Sequence, residues 1–293
     1  MNSAVMISSC QRVKTAGSKP GHALTAGVRS QYGSTALARA RGFTLVELAI
    51  ALFIITLVLS SFLVPLTTQI AQRKIGDTQK TLEDLKEALL GFAVANGRLP
   101  CPASATSNGV EAFCTSATPA ACGAELLAVQ THGRCAAQYN GFAPGATLGL
   151  AATDAQGYAI DAWGARIRYA VTASASANVS TFTSPNGMRN ITLPALAPDL
   201  FVCASSTVVT AVNCGTAQTL TNSAPAVIFS LGPNATTGGG AGADEAQNLN
   251  NTQVFVSRVR SDPGSAGGEF DDIVTWLSEN VLYNRMVAAG QLP

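Results

Sequence analysis

Charge is scarce in this chain of 293 residues: Asp, Glu, Lys and Arg together make up 12% of it, and histidine occurs twice. Aromatic residues are also few, at 6%. The 47% hydrophobic content nevertheless excludes a charge-rich disordered chain and is enough to bury a core. A formal net charge of +1 offers no basic excess to hold nucleic acid, so none is predicted as a partner. The catalytic signatures Gly-x-Ser-x-Gly, Ser-x-x-Lys and His-Glu-x-x-His are missing, and so is any Cys-x-x-Cys pair. Beyond residue 42 the only histidine is His132, read as a loop residue, and the only lysines are Lys74, Lys80 and Lys86. An enzyme is therefore not expected.

Acidic residues are absent from 1–42, which carries Arg12, Lys14, Lys19, Arg29, Arg39 and Arg41 and is thus +6. The remainder holds 18 − 6 = 12 bases against 17 acids, or −5. Basic, rich in Gly, Ser and Ala and without hydrophobic patterning, 1–42 reads as a targeting leader. Next comes FTLVELAIALFIITLVLSSFLVPL, Phe43 to Leu66, with Glu47 as its single charge. At 1.5 Å per residue this run gives a helix of about 36 Å, enough for a bilayer core of about 30 Å. The basic flank predicts a cytoplasmic N-terminus and an exported C-terminal part. The run is too long for a cleaved secretory signal. An acid within such a helix costs roughly 2.5–3.5 kcal/mol on insertion scales and is usually functional. Alternatively, Glu47 snorkels to the interface.

The string RGFTLVELAIAL, from Arg41, resembles the class III leader of type IV pilins and type II secretion pseudopilins. The resemblance implies cleavage by prepilin peptidase between Gly42 and Phe43, then N-methylation of Phe43. It also implies assembly with other pilin subunits by the inner-membrane machinery into a periplasmic or surface filament. In such a filament Glu47 of one subunit would pair with the new ammonium of a neighbour, where an unpaired buried charge would cost several kcal/mol. Pro65 falls near the far end of the span, where it would remove one helical hydrogen bond.

Past the span, Leu82, Leu85, Leu89 and Phe92 recur at helical spacing within 69–96, with Glu83, Asp84, Lys86 and Glu87 on the other face. Gly97 and Pro100 end that pattern. The segment 98–160 reads as a disulfide-tied loop region, with Ala124–Gln130 as a helix candidate. Strand patterns follow at Arg166–Thr172, Val179–Thr183, Asn190–Leu193, Leu200–Ala204, Thr207–Val212, Ala226–Leu231, Gln253–Arg260 and Asp272–Leu277. Ser278 can cap a closing helix that ends at Gly290. The organisation expected is a leader (1–42), a transmembrane and assembly helix (43–97) and a periplasmic head (98–293). The fold class expected is α+β and pilin-like, with a half-membrane, half-amphipathic helix packed on an antiparallel sheet.

Cys101, Cys114, Cys122, Cys135, Cys203 and Cys214 lie in the exported part, and an oxidising compartment favours three bridges. Cys203 and Cys214 flank a predicted hairpin and are expected to pair. The other four would pair among themselves in an order left open.

Three blocks narrow the resemblance. FAVANGRLP (Phe92–Pro100), DAWGARIRYAV (Asp161–Val171) and FSLGPNATTGGGAGADEA (Phe229–Ala246) with FDDIVTWL are similar to blocks of the major pseudopilin, in the same order but at different spacing. In that protein the last block binds calcium. The resemblance implies side-chain oxygens from Asn234, Asp244, Glu245, Asp271 and Asp272 and a carbonyl from Leu231. An acidic loop without an ion is the alternative. Asp161 and Trp163 are expected to form a structural turn, with the Asp side chain closing it and a buried indole anchoring it. At 251 residues beyond the cut (293 − 42), the chain is long for a repeating subunit, which raises a minor pilin with a binding tip as the other reading.

Overall fold

The computed structural model describes residues 42–118, 122–176, 178–265 and 267–292; the leader 1–41 lies outside them. The chain divides into two units, Met1–Thr56 and Leu57–Pro293.

Helix α1 runs over Leu45–Asn96. Its start is set by Thr44, whose Oγ1 accepts the Glu47 N–H at 3.2 Å and whose carbonyl accepts the Leu48 N–H. Thr44-x-x-Glu47 thus supplies half of a capping box, with an acid in the first turn where the helix dipole favours it. Within the first unit the side chains of Phe43, Leu45, Val46, Phe53 and their neighbours are exposed. Among the described residues no helix is long and apolar enough to cross a membrane. The expected 43–66 span includes 61–66, whose side chains, Pro65 among them, lie outside the described set.

In the second unit the elements in chain order are β1 (Phe113–Cys114), β2 (Glu125–Leu126), β3 (Gly141–Phe142), α2 (Gly145–Leu148), β4 (Arg168–Val171), β5 (Ala175–Ser176), β6 (Val179–Ser180), β7 (Leu200–Cys203), β8 (Thr219–Ala224), β9 (Ala226–Ser230), α3 (Ala243–Asn248), β10 (Val254–Val256), β11 (Ile273–Leu277) and α4 (Glu279–Ala288). The central sheet has the order β11-β9-β4-β3 and is antiparallel throughout. A second sheet, β10-β7-β8, is mixed, because β10 runs parallel to β7.

Alternation along the strands explains the layering. Tyr169 and Val171 of β4 and Ala226 and Ile228 of β9 face Leu82, Leu85 and Leu89 of α1 and Leu282 and Met286 of α4. The intervening residues Ala170, Val227 and Phe229 face Leu200, Val202, Ala224 and Phe255 of the second sheet. The helical stripe read from the sequence is thus buried, apart from Phe92, which is half-buried beneath the Arg98 guanidinium. Helix α1 ends where Gly97 adopts a left-handed φ of 67° and donates to the Ala93 carbonyl.

Several local expectations change. Ala124–Gln130 is not helical; Glu125–Leu126 pairs with Phe113–Cys114, held beside the Cys114–Cys122 bridge. Thr207–Val212 is not a strand but a loop closed by Cys203–Cys214, and the partner of β7 is β8, which lies beyond that loop. Asn190–Leu193 is a turn running into a short 3-10 segment at Leu193–Ala195. Gln253–Arg260 is cut to three strand residues. The disulfides are Cys203–Cys214, as expected, and Cys101–Cys135 with Cys114–Cys122.

Candidate functional site

Two groups of residues carry chemistry. In the first unit, Gly42 and Phe43 precede α1, Phe43 is 79% exposed, and Glu47 lies in the first helical turn. A Cβ added at Gly42 would meet nothing within 4 Å, and its φ is not in the left-handed region. Neither packing nor backbone geometry therefore requires glycine there.

The second group is built by strand register. Ile273 of β11 faces Ser230 of β9 across an antiparallel pair, so the residues before β11 lie beside those after β9. This brings Asp271 and Asp272 against the turn at Leu231–Asn234. Gly232 takes φ 67°, and a Cβ there would come within 2.5 Å of Asp271 Oδ1, so only glycine fits. The turn is tied down by Ser230, whose hydroxyl donates to Asp161 Oδ2 at 2.6 Å and accepts the Gly232 N–H. Asp161 closes its own turn by accepting from Trp163 and Ala165, as expected, although the Trp163 indole is only half-buried.

Helix α3, folded from the glycine-rich connection, contributes Glu245. One carboxylate oxygen each from Glu245, Asp271 and Asp272 lie within 4.8 Å of one another, and all three residues are buried. Glu245 organises the cluster: Oε1 accepts the Asp271 N–H at 2.7 Å, and Oε2 accepts from Gly242 N–H and from Asn234 Nδ2. That last bond fixes the Asn234 amide, and its Oδ1 has no partner. Asp271 Oδ1 and Asp272 Oδ1 are likewise buried without a partner. Asn248, one helical turn after Glu245, donates to Asp272 Oδ2 at 2.7 Å and is locked by two bonds to Val256.

Burial, with Glu245 alongside, raises the Asp271 carboxyl to about 6. Burial again, reinforced by Glu245 and Asp271 and opposed by the Asn248 bond, raises Asp272 to about 8. Crowded acids with three orphaned oxygens form an oxygen-only donor set, which suits a hard divalent cation such as calcium.

Asp244, expected among the ligands, is turned away: its oxygens accept from Ser206 N–H and Arg258 Nε, so Glu245 alone of this pair joins the cluster. Leu231 is buried, its side chain packed with the second-sheet core. Asn248 and Ser230 escaped the sequence reading. The Glu245-x-x-Asn248 spacing would have exposed Asn248 had α3 been foreseen in a glycine tract.

Among known proteins, no curated protein and no solved structure matches this chain. Residues 37–63 match the family model described as the prokaryotic N-terminal methylation motif. That match covers the glycine, the following Phe and the Glu47 region of the leader string, and it supports assigning the chain to the type IV pilin and pseudopilin family.

Proposed function

We propose that this chain is a structural filament subunit. Prepilin peptidase cuts between Gly42 and Phe43 on the cytoplasmic face, and Phe43 is then N-methylated. The apolar run from Phe43 to Leu66 holds the subunit in the inner membrane with its head in the periplasm, until it enters a type II secretion pseudopilus or a type IV pilus. The observation that carries this reading is the methylation-motif match over 37–63, which brackets the cut. Glycine at 42, which the fold itself does not require, supports selection by a processing enzyme. In the filament, Glu47 accepts the ammonium of a neighbouring Phe43 and fixes the axial offset between subunits, much as a buried polar group sets coiled-coil register. The test is Gly42→Trp: the uncut precursor should accumulate, and mass spectrometry of the wild type should find N-methylated Phe43 at the N-terminus. Normal processing of the variant overturns the reading.

The head reads best as holding one calcium ion on Glu245, Asp271, Asp272 and the Asn234 amide oxygen. Three buried oxygens without partners support this. Calcium titration of the purified full chain in detergent should show one site that is lost in Asp272→Asn; equal binding by the variant overturns it.

The 251 residues after the cut (293 − 42) favour a second reading, a minor pilin presenting a binding tip. Copy number in purified filaments separates the two: a repeating subunit dominates the preparation, whereas a tip subunit is present a few times per filament.

A further inference from the structure

One cavity is lined by the chain neighbours of Asn234 and another by the acidic cluster itself, and they differ in charge. One, of about 270 Å³, is lined by Phe142, Trp163, Arg166, Arg168, Leu231 and Pro233 and presents no carboxylate. Its two guanidinium groups oppose the approach of a cation. The other, of about 230 Å³, is lined by Asp271 and Asp272 themselves, by Arg260 and by Arg258, whose charge is paired with Asp244, and by Ile75 and Gln79 of α1. A water molecule takes about 30 Å³ of liquid volume, so this second cleft admits an ion with part of its shell. On other sides the cluster is covered by its own hydrogen-bond partners. Glu245 is fully buried and bonded to Gly242 and Asp271, and Asn248 covers the far oxygen of Asp272.

We propose that the cation reaches and leaves the Glu245–Asp271–Asp272 cluster through this second cleft, with Gln79 of α1 as its gate and Arg260 as the charge at its mouth. The proposal rests on the reading of the cluster as a cation site. Gln79 is exposed and uncharged, and the helix that carries it is anchored by the buried Thr78 and Leu82 on either side. The wall is therefore fixed while the amide itself can move. Arg260 is exposed and its charge acts on Asp271, favouring the ionised carboxylate. At the mouth it slows an arriving cation, an effect that salt screens. Helix α1, whose first turns carry the assembly residues, thus also forms one wall of the cation's path.

Stopped-flow release of calcium to a fluorescent chelator, with the full chain in detergent, tests this. Gln79→Trp should slow both binding and release at least tenfold and leave the dissociation constant within twofold. Gln79→Ala should speed both. Arg260→Gln should raise the association rate severalfold at low salt and by less at high salt. Unchanged rates in all three variants, with calcium still bound in an Asp272-dependent manner, overturn the route alone. If the wild type binds no calcium at equilibrium, the site itself is refuted and the route falls with it. Circular dichroism of each variant separates a lost fold from a blocked cleft.

Discussion

Arg98 and Glu111 show how strongly one side chain can depend on another. Arg98 forms two hydrogen bonds to Glu111, at 2.6 and 2.7 Å, with both side chains 7% exposed. Its guanidinium also lies 5.1 Å from the Phe92 ring centroid and 5.6 Å from that of Phe113. Glu111 further accepts the Cys101 N–H, so the pair fastens the end of α1 to the first disulfide. Glu111→Ala leaves a buried guanidinium without its carboxylate and should cost about 3–5 kcal/mol of unfolding free energy. Chemical denaturation measures this, and a loss below about 1 kcal/mol would show that water reaches the pair. Asp272 is the opposite case, an acid crowded by other acids. In the absence of a divalent cation, Asp272→Asn should stabilise the head at pH 8, because it removes the need to keep or lose a proton there. With excess calcium the wild type should be the more stable of the two. Thermal melts with chelator and with calcium read both signs.

Among the elements, the Cys203–Cys214 bridge closes a loop that carries Val208 at φ 63°, a conformation strongly disfavoured for a β-branched residue. The bridge spans a sequence separation of 11, and loss of its loop-closure constraint should cost about 3 kcal/mol. A Cys203→Ala, Cys214→Ala double variant checks this by denaturant midpoint, and an unchanged midpoint would place no constraint on the loop. Beyond the bridge, β8 and β9 follow each other through Ala224-Pro225-Ala226 and belong to different sheets. Thr207–Val212 alternates well, but the disulfide draws its ends together and hands the pairing with β7 to β8.

For the molecule as a whole, pH and the proposed cation would act on the same place. Native Asp271 and Asp272 hold protons up to about 6 and about 8, while unfolded aspartates release theirs near an ordinary value of 3.8. At these two carboxyls the folded chain then binds more protons than the unfolded one across roughly pH 4 to 8, so their contribution to stability without cation falls as pH rises through that window. Calcium bound by the ionised carboxylates should flatten or invert the slope. Melting temperatures from pH 4 to 8, with chelator and with calcium, test this; parallel curves would refute the linkage.

The leader string, the stop of α1 at Gly97, its apolar stripe and strands β4, β7, β9 and β11 were all legible in the residues. Each rests on neighbours in sequence: a motif, a stop residue, a helical period or an alternation. The Cys203–Cys214 bridge was expected too, but from a hairpin whose second strand, Thr207–Val212, is a loop in the structure. The cation cluster was only partly legible. Asn234, Glu245, Asp271 and Asp272 were visible as oxygen donors, but the choice of Glu245 over Asp244 depends on α3 and on Arg258 and Ser206 drawing Asp244 away. The convergence of residues 26 positions apart, Glu245 on Asp271, follows from the register of β9 against β11. Asn248 as the clamp on Asp272, and α1 as a wall of the cleft, likewise arise from contacts between distant segments. Local pattern accounts for the segments whose forces act within a few residues, and it carries the proposed cut after Gly42. Which acids share one buried space depends on packing that no stretch of sequence contains.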